Sequence, residues 1–531
     1  MSEQDWWRGA VIYQIYPRSY LDTTGNGVGD LAGIRDKLGY IADLGVDGIW
    51  ISPFFTSPMA DFGYDVSDYR DVDPLFGTLD DFDALVVRAH ELGLKVLIDQ
   101  IYSHTSDQHA WFEESRRDRT NAKADWFVWA DARPDGSPPT NWQSFFFGPA
   151  WTWDARRGQY YMHNFLPEQP DLNLWNPEVR AEICDTLRFW LKRGVDGVRL
   201  DAISHCLHDP QFRDNPARDN PDAKKPGDMQ SMIHTVGLPQ TAGFMQELRA
   251  VLDEFSGRFA VGEIGGEDPL AQAVTYADPE VSLQTAYNFS FLFKGPLTPD
   301  FIRTTIEDGL ARHPRGWPTQ VFSNHDAVRA PTRWGGDAAS PVYAQMLNAL
   351  LLSLYGSVCL YQGEELGLDQ AQVPYERLVD PEAIKNWPHT LGRDGARTPM
   401  PWSNSAPHAG FSAAEPWLPL GAHHPGLSVE AQAGVAGSTL EVTRALLRHR
   451  RDSAALRSGS IRFIGAGAHV IAFERVAGDQ RVFCAFNLSS DPQVITLDAD
   501  YVACEGVPVC ANLSGRRLEL KKHGFWLGRS A

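Results

Sequence analysis

The chain has 531 residues, of which 43% are hydrophobic and 22% are charged, and its formal net charge is −20. This composition excludes a disordered chain, a collagen-like repeat and a coiled coil. The acidic balance argues against a nucleic-acid partner, because it repels phosphate backbones. The six cysteines include no Cys-x-x-Cys pair, which argues against a disulfide scaffold and a thiolate metal cage.

The start of the chain, Met1–Trp7, lacks the basic and apolar regions of a secretory signal. No run of about 18 apolar residues occurs, so no membrane span is predicted. We therefore expect a cytoplasmic protein with neither a membrane nor a nucleic acid as partner. The sequence leaves open whether it is a monomer or a homodimer.

Eight short apolar runs alternate with segments whose apolar residues recur at helical spacing. The predicted strands are Val11–Tyr16, Gly48–Ser52, Lys95–Asp99, Gly197–Asp201, Phe259–Glu263, Gln284–Phe289, Gln320–Ser323 and Val358–Tyr361. The predicted helices include Leu31–Leu44, Leu79–Leu92, Glu178–Leu191 and Met245–Phe255. This alternation predicts an α/β fold, a closed (β/α)8 TIM barrel. An open doubly wound sheet is the alternative, but no strand candidate leads into a Gly-x-Gly-x-x-Gly turn.

Two long segments interrupt the alternation. Residues 104–175 are polar, aromatic and irregular, and they predict an inserted subdomain after the third strand. Residues 206–240, after the fourth strand, are either a lid or a solvated loop. Short alternating strands from residue 457 onward predict a C-terminal antiparallel β domain. The predicted domains are the barrel (1–103 and 176–456), the inserted subdomain (104–175) and the C-terminal domain (457–531).

Three acidic residues lie at the ends of predicted strands, where a barrel of this type carries its catalytic groups. Asp201 and Glu263 end the fourth and fifth strands, and Asp326 follows the seventh. A single such acid could simply cap a helix, but three on separate strands are hard to explain by capping. Arg199 faces the same side as Asp201, and an arginine there lowers the pKa of a carboxyl group. Two carboxyl groups, one protonated and one ionised, are what retaining glycoside hydrolysis uses.

Seven segments together resemble a known family. Four of them resemble motifs of the α-amylase superfamily, glycoside hydrolase family 13. They are Asp99–His104 (DQIYSH), Gly197–Asp201 (GVRLD), Val261–Glu263 (VGE) and Phe322–Asp326 (FSNHD). Three more resemble motifs of the α-glucosidase and oligo-1,6-glucosidase branch of that family. They are Phe62–Tyr69 (FGYDVSDY), Gln169–Asn173 (QPDLN) and Arg397–Trp402 (RTPMPW). The resemblance extends over nearly the whole chain.

The resemblance implies a retaining double displacement. Asp201 would be the nucleophile, Glu263 the general acid and base, and Asp326 the group that holds the sugar hydroxyls. The substrate-binding residues it implies are Arg199, His104, His325, Tyr64, Asp65 and Arg397. In this interpretation Asp65 and Arg397 grip the non-reducing glucose, although a structural ion pair is their alternative. Phe147, Phe165 and residues 206–240 are predicted walls of the acceptor side.

Three residues depart from the pattern of the family. Ser103 stands where the family usually has Asn, which argues against the calcium site that α-amylases form between barrel and inserted domain. Ala202 follows the nucleophile, and a small residue there resembles enzymes that prefer α-1,4 linkages, because it leaves room for the next sugar. Pro401 stands where Gln is more usual, and its effect would fall on the acceptor side.

A separate candidate metal site is the loop 22–30 (DTTGNGVGD). Oxygen ligands at alternating positions, with glycines at the bends, resemble a calcium loop. Its predicted ligand positions are Asp22, Thr24, Asn26, Val28 and Asp30. The alternative is a turn held by Asx hydrogen bonds. The ion would be a structural Ca2+ or Mg2+, and no organic cofactor is expected.

The sequence therefore predicts an exo-acting α-glucosidase that cleaves terminal α-1,4-linked glucose and also transfers glucosyl units to alcohols. A sucrose hydrolase, sucrose isomerase or trehalose synthase of the same superfamily is the alternative. A non-catalytic binding member is a remote third, because all three carboxylates are present.

Overall fold

The computed structural model describes residues 5–293, 295–336, 340–390 and 392–530. Its strands are β1 (Val11–Ile15), β2 (Gly48–Ile51), β3 (Phe55–Thr56), β4 (Asp68–Val72), β5 (Lys95–Ile101), β6 (Trp129–Ala130), β7 (Trp151–Asp154), β8 (Gln159–Met162), β9 (Gly197–Asp201), β10 (Phe259–Gly262), β11 (Thr285–Tyr287), β12 (Pro318–Val321), β13 (Ser357–Tyr361), β14 (Ser460–Ile464), β15 (Val470–Ala477), β16 (Gln480–Asn487), β17 (Gln493–Thr496), β18 (Tyr501–Ala503), β19 (Ala511–Ser514), β20 (Arg517–Leu520) and β21 (Phe525–Ser530). Its helices are α1 (Leu31–Leu44), α2 (Leu79–Glu91), α3 (Ala110–Ser115), α4 (Pro177–Lys192), α5 (Thr241–Asp253), α6 (Pro269–Tyr276), α7 (Ser290–Phe293), α8 (Pro299–Arg312), α9 (Ala330–Gly335), α10 (Pro341–Ser353), α11 (Pro381–Asn386), α12 (Val429–Gln432), α13 (Thr439–Asp452) and α14 (Ala454–Ser458).

Eight parallel strands close into a barrel in the order β1, β13, β12, β11, β10, β9, β5, β2. The predicted (β/α)8 barrel is therefore confirmed, and the open-sheet alternative is wrong. The register places Asp99 of β5 beside Arg199 of β9, and Ile101 beside Asp201. Because all eight strands run the same way, their carboxyl ends meet at one mouth.

Local sequence explains where the helices of the barrel begin and end. Asp30 caps α1 by accepting a hydrogen bond from the Gly33 amide, and Gly45, at φ 93°, ends the same helix. Thr78 opens α2 with a capping box. Pro177 stands at the first position of α4, where its missing N–H leaves no helical bond unmade.

Two apolar layers surround the strands. The larger layer packs the barrel against its helices, and the smaller one fills the barrel interior. The interior layer includes Trp7, Ile12, Trp50, Leu97, Phe259, Val261, Tyr287, Val321 and Cys359. These side chains fill the lower part of the barrel, so the polar side chains of a site can be reached from solvent only at the mouth.

The chain between β5 and α4 carries α3 and a small antiparallel sheet in the order β6, β8, β7. Its own apolar cluster includes Val128, Trp142, Trp151 and Met162. The segment 206–240 is described throughout and contains one 3-10 helix, Pro226–Met229, but no α-helix or β-strand. The exact domain boundaries given above stay predictions.

The C-terminal part forms a five-stranded sheet, β14-β15-β16-β21-β18, beside a three-stranded sheet, β17-β20-β19. This confirms the predicted antiparallel β domain, although β18, β19 and β20 were not predicted. The buried Arg475 of β15 fixes the sheet to the barrel, donating to the carbonyls of Ser353 and Leu354 at 2.7 Å each. Within the described ranges, no helix is both long enough and apolar enough to span a bilayer.

Candidate active site

Arg199 lies at the centre of a cluster of three carboxyl groups from neighbouring strands. Its Nη1 donates to Asp99 Oδ1 at 2.8 Å and to Asp201 Oδ1 at 2.5 Å, and its Nη2 donates to Glu263 Oε2 at 2.6 Å. The guanidinium lies over the face of Trp50 and is fully buried. One guanidinium therefore holds Asp201 and Glu263 in a fixed relation to each other.

The turn after β9 brings the two carboxyl groups together. Ala202 takes a left-handed conformation at φ 44°, and its amide donates to Glu263 Oε2 at 3.0 Å. Asp201 and Glu263 are close enough to share a hydrogen bond. Both line a cavity of about 830 Å3 at the mouth of the barrel. Asp201 and Glu263 therefore lie next to each other in the structure, as the sequence predicts.

Burial raises the pKa of Glu263 to about 8, against the opposing effect of Arg199. Its carboxyl group is therefore protonated at neutral pH and able to donate a proton. The prediction that Arg199 lowers the pKa of Asp201 is wrong in its net outcome. Arg199 acts in that direction, but burial outweighs it, and the pKa of Asp201 lies above its ordinary value. A prediction from one strand could not weigh the depth of the cavity.

Asp326, the third predicted acid, also lines the cavity. Arg397 Nη2 donates to its Oδ1 at 2.7 Å, and His325 Nε2 lies 3.1 Å from its Oδ2. Burial alone would raise the pKa of Asp326, but His325, Arg397 and Arg393 together hold it well below the usual range. Asp326 is therefore an ionised hydrogen-bond acceptor facing the cavity.

His325 belongs to a buried hydrogen-bond chain. Its Nδ1 lies 2.7 Å from the Gln14 amide nitrogen, its Nε2 lies 2.6 Å from the Tyr64 hydroxyl, and Tyr64 in turn donates to Asp99 at 3.1 Å. The amide must donate to Nδ1, so the network assigns the proton of His325 to Nε2. Burial lowers its pKa to about 3, so the ring is neutral. The ring of Tyr64 stacks on His325 and lines the cavity.

The inner end of the cavity is closed by a different pair from the one predicted. Arg393 Nη2 donates to Asp61 Oδ1 and to Asp380 Oδ1, at 2.8 Å each. Asp61 and Arg393 line the cavity, whereas Asp380 is buried behind them. Burial raises the pKa of Asp380 and Arg393 opposes it more strongly, leaving the value at about 2.

The predicted grip of Asp65 and Arg397 is corrected by these contacts. The carboxylate of Asp65 is buried and accepts the amides of Ala60 and Asp61 at 2.8 and 2.9 Å. Arg397 is fully buried behind Asp326 and binds it instead. Neither Asp65 nor Arg397 lines the cavity, and they form no ion pair with each other. Asp65 therefore holds its own loop, and Arg397 positions Asp326.

Among the predicted aromatic walls, Phe165 lines the cavity beside His104, with ring centroids 5.2 Å apart. Phe147 does not line the cavity, and this prediction is corrected: the preceding Phe145 and Phe146 occupy the wall. His104, a predicted sugar contact, also lines the cavity. Burial lowers its pKa to about 3, so it is a neutral hydrogen-bonding group.

The outer end of the cavity is formed by segment 206–240, one of the predicted walls, and by the loops after β10 and β11, which the sequence did not single out. These segments contribute the apolar side chains of Met232, Ile233, Val236, Pro269, Phe289 and Phe293 and polar side chains that include Arg218, Asn220, Lys225, Asp228, Glu267 and Gln272. His205 lies among them, and neither of its ring nitrogens has a hydrogen-bond partner in the described structure. No periodicity marks these residues, because their segments are irregular.

The loop 22–30 holds its acidic oxygens in hydrogen bonds. Asp22 accepts the amides of Thr24, Gly25 and Gly27 at 2.7 to 2.9 Å. Asp30 accepts the amides of Thr23 and Gly33, and Asn26 accepts that of Val28. No group of three His, Cys, Asp or Glu side chains suited to a metal occurs in the described ranges. The contacts are those of the Asx-turn alternative, and a bound cation stays a prediction.

Comparison with known proteins places this geometry in context. A family model described as alpha amylase, catalytic domain, matches residues 14–459. The chain is 49% identical to a probable alpha-glucosidase of Rhizobium meliloti (strain 1021), a match that covers 98% of this chain and 94% of the relative. It is 37% identical to an oligo-1,6-glucosidase of Heyndrickxia coagulans, covering 92% of this chain and 93% of that one.

Two solved structures resemble the fold closely. The alpha-glucosyl transfer enzyme XgtA is 52% identical with a TM-score of 0.96, and the match covers 99% of both chains. The trehalulose synthase MutB from Pseudomonas mesoacidophila MX-45 is 31% identical with a TM-score of 0.90, again over 99% of both chains.

Proposed function

Because the chain belongs to the α-amylase family of glycoside hydrolases, we propose that it is a retaining, exo-acting α-glucosidase. It removes the terminal α-1,4-linked glucose of maltose and short oligosaccharides, and it also transfers that glucose to alcohol acceptors. The observation that carries the proposal is the single guanidinium of Arg199, which holds a protonated Glu263 beside Asp201.

In the first step an oxygen of Asp201 attacks the anomeric carbon of the glucose. The bond from that carbon to the leaving oxygen breaks, and Glu263 gives its proton to the leaving group. The raised pKa of Glu263 suits this donation, since the acid is still protonated at neutral pH. Arg199 contacts both acids and balances the charge that moves between them.

In the second step water or an alcohol attacks the same carbon from the opposite side to Asp201. Glu263, now ionised, takes the proton of the attacking hydroxyl, and the ester bond to Asp201 breaks. Two inversions restore the α configuration. The description of XgtA as an alpha-glucosyl transfer enzyme supports transfer as the outcome when an alcohol is the attacker.

The inner end of the cavity supports exo action. The ion pairs of Arg393 with Asp61 and Asp380 wall off the space beyond one terminal sugar. Charged, buried groups with fixed positions suit the several hydroxyls of a non-reducing glucose. Asp326, ionised and held by Arg397, provides a further acceptor for those hydroxyls.

The small Ala202 beside Asp201 supports a preference for α-1,4 over α-1,6 linkages. Its left-handed conformation at φ 44° also restricts what can replace it, because a β-branched residue adopts this region only at a cost.

Product analysis tests the proposal. The enzyme is incubated separately with maltose, isomaltose, sucrose and starch, and the products and the first-formed anomer are followed by NMR. We expect fastest release from maltose, α-glucose as the first anomer, and starch left nearly intact. Initial β-glucose would contradict retention. An isomer of sucrose as the main product would favour the reaction for which the trehalulose synthase MutB is named.

A structural Ca2+ or Mg2+ in the loop 22–30 is a separate part of the proposal. Asp22, Asn26 and Asp30 would hold it through side-chain oxygens, with Thr24 and Val28 at the intervening positions. The ion would stabilise the loop that leads into α1, without a part in the chemistry.

A further inference from the structure

Two segments face each other across the mouth of the cavity. Segment 206–240 follows β9, and α11 lies in the connection that follows β13. In the order of the barrel, β9 and β13 are four strands apart in either direction, so the two segments arise on opposite sides of the mouth. Lys225 of the first segment and Glu382 of α11 nevertheless meet, with Nζ 2.8 Å from Oε1. Both side chains line the cavity.

Segment 206–240 is bonded to the insertion between β5 and α4, and near its C-terminal end to α6, where the Leu238 carbonyl accepts the Tyr276 hydroxyl at 2.7 Å. Asn141 exchanges two hydrogen bonds with Asn215, at 2.8 and 2.9 Å, and the Trp142 indole donates to the Arg213 carbonyl at 2.8 Å. Gly227 lies so close to the Ser144 carbonyl that an added Cβ would stand 3.1 Å from its oxygen. These contacts bind the segment to the insertion between β5 and α4.

On the opposite side the attachment is a single contact. In the described residues, the Lys225–Glu382 pair is the only hydrogen bond or ion pair between segment 206–240 and the chain from 362 to 400. The insertion that carries the segment is also bonded to α11, because Asn386 Nδ2 donates to the Phe146 carbonyl at 3.1 Å. Breaking the Lys225–Glu382 pair therefore frees segment 206–240 from α11 without separating the insertion from it.

The surroundings of the pair make it stronger than an ordinary surface pair. The Lys225 and Glu382 side chains are 13% and 16% exposed, and the Lys225 ammonium lies 4.3 Å from the centre of the Phe145 ring. Partial burial reduces screening by solvent, and the ring face attracts the ammonium. Lys225 therefore touches an acid from one side of the mouth and an aromatic wall from the other.

We propose that the Lys225–Glu382 ion pair is a latch that closes the mouth over the acceptor end of the cavity. This inference rests on the proposed glucosidase function. While glucose is bonded to Asp201, the closed latch keeps an acceptor alcohol in the outer part of the cavity and limits the entry of water. Attack by the alcohol forms the new glycosidic bond, whereas attack by water releases glucose. The latch thus sets the ratio of transfer to hydrolysis.

The test compares that ratio in matched variants acting on maltose. Lys225→Gln and Glu382→Gln each remove one charge, Lys225→Arg keeps it, and the double variant Lys225→Glu with Glu382→Lys restores attraction in reverse. Glu307→Gln, which breaks the exposed Arg303 pair on α8, is the control. Free glucose and transfer products are quantified from initial rates, and the melting temperature of each variant is recorded.

We expect the ratio of transfer to hydrolysis to fall about threefold to fivefold in each single charge-removing variant, the scale of one modest ion pair. Lys225→Arg and the reversed pair should stay within about twofold of the wild type, and Glu307→Gln should not change the ratio. An unchanged ratio in both single variants, or a reversed pair that behaves like them while melting normally, would overturn the latch.

Wild-type behaviour separates failure of the latch from failure of the proposed function. An enzyme that hydrolyses maltose with no transfer product contradicts the latch and leaves the glucosidase function standing. An enzyme that releases no glucose from maltose contradicts both.

Discussion

The two ends of the active-site cavity are built in opposite ways. At the inner end Arg393, Asp61 and Asp380 form buried ion pairs, and Arg397 holds Asp326. At the outer end apolar side chains, among them Ile233 and Phe293, which are more than half exposed, line the wall together with polar ones such as Arg218 and Glu267. Fixed charges specify one sugar through its hydroxyls, whereas an exposed apolar surface tolerates different partners. For the proposed function, the difference predicts an enzyme that is strict about the glucose it takes and permissive about the group that receives it.

The substitution Asp61→Asn disrupts the inner end most directly, because it removes the charge that pairs with Arg393. The variant leaves Arg393 with one acid fewer and weakens the contact to the terminal glucose, so we expect kcat/KM for maltose to fall about 100-fold, with a lower melting temperature. Asp65→Asn is the matched comparison, because Asp65 is equally buried but bonds only to its own loop. A larger loss of kcat/KM in the Asp65 variant than in the Asp61 variant would reverse the assignment.

The pH dependence probes the acids that lie between the two ends. Glu263 must be protonated to donate, so activity should fall as pH rises through its pKa of about 8, by about tenfold per unit above it. Asp201 must be ionised, and because burial raises its pKa, the acid limb should lie above the ordinary value of about 3.9. Initial rates of kcat/KM between pH 4 and 10 check both limbs. An alkaline limb that persists unchanged in Glu263→Gln would assign it to another group.

At the outer end we expect the truncation Ile233→Ala to change kcat/KM for maltose far less than Asp61→Asn does. This variant removes apolar surface from an exposed wall, and the lost binding free energy is about 1 kcal/mol. The expected decrease in kcat/KM for maltose is therefore about fivefold or less. The pattern of transfer products should change more than the rate of glucose release. A loss as large as that of Asp61→Asn would abolish the distinction between the two ends.

Outside the cavity the smallest effect is expected from metal removal. A cation in loop 22–30 would stabilise the folded state by mass action, so a chelator should lower the melting temperature by a few degrees and calcium should restore it. Turnover at 25 °C should not change. An identical melting temperature with chelator and with calcium would leave the loop as a turn held by its own hydrogen bonds.

The sequence predicted the barrel well because its strands are buried on both faces and read as short apolar runs. Asp201 and Glu263 could be placed for the same reason, since the ends of parallel strands share one mouth. In irregular loops no periodicity predicts which side chains face the cavity. Phe62 at φ 52° and Gly63 at φ 107° turn the chain between Asp61 and Asp65, and this turn decides which acid reaches the cavity.

The same limit explains the misplaced aromatic wall. Phe145, Phe146 and Phe147 are consecutive, and without a helix or strand no periodicity indicates which ring faces inward. The pKa of Asp201 was misjudged because its neighbour Arg199 is visible in the sequence, whereas the depth at which both are buried is not.

The most direct test of the account is to trap the covalent intermediate. The enzyme is treated with a fluorinated α-glucosyl fluoride, which forms the glycosyl-enzyme faster than water removes it, and the labelled peptide is sequenced by mass spectrometry. The account predicts one fluoroglucosyl group on the carboxylate of Asp201, formed with loss of the anomeric fluoride, and formed slowly or not at all in Asp201→Asn. A label on Asp326, Asp99 or Glu263 in the wild type would contradict it.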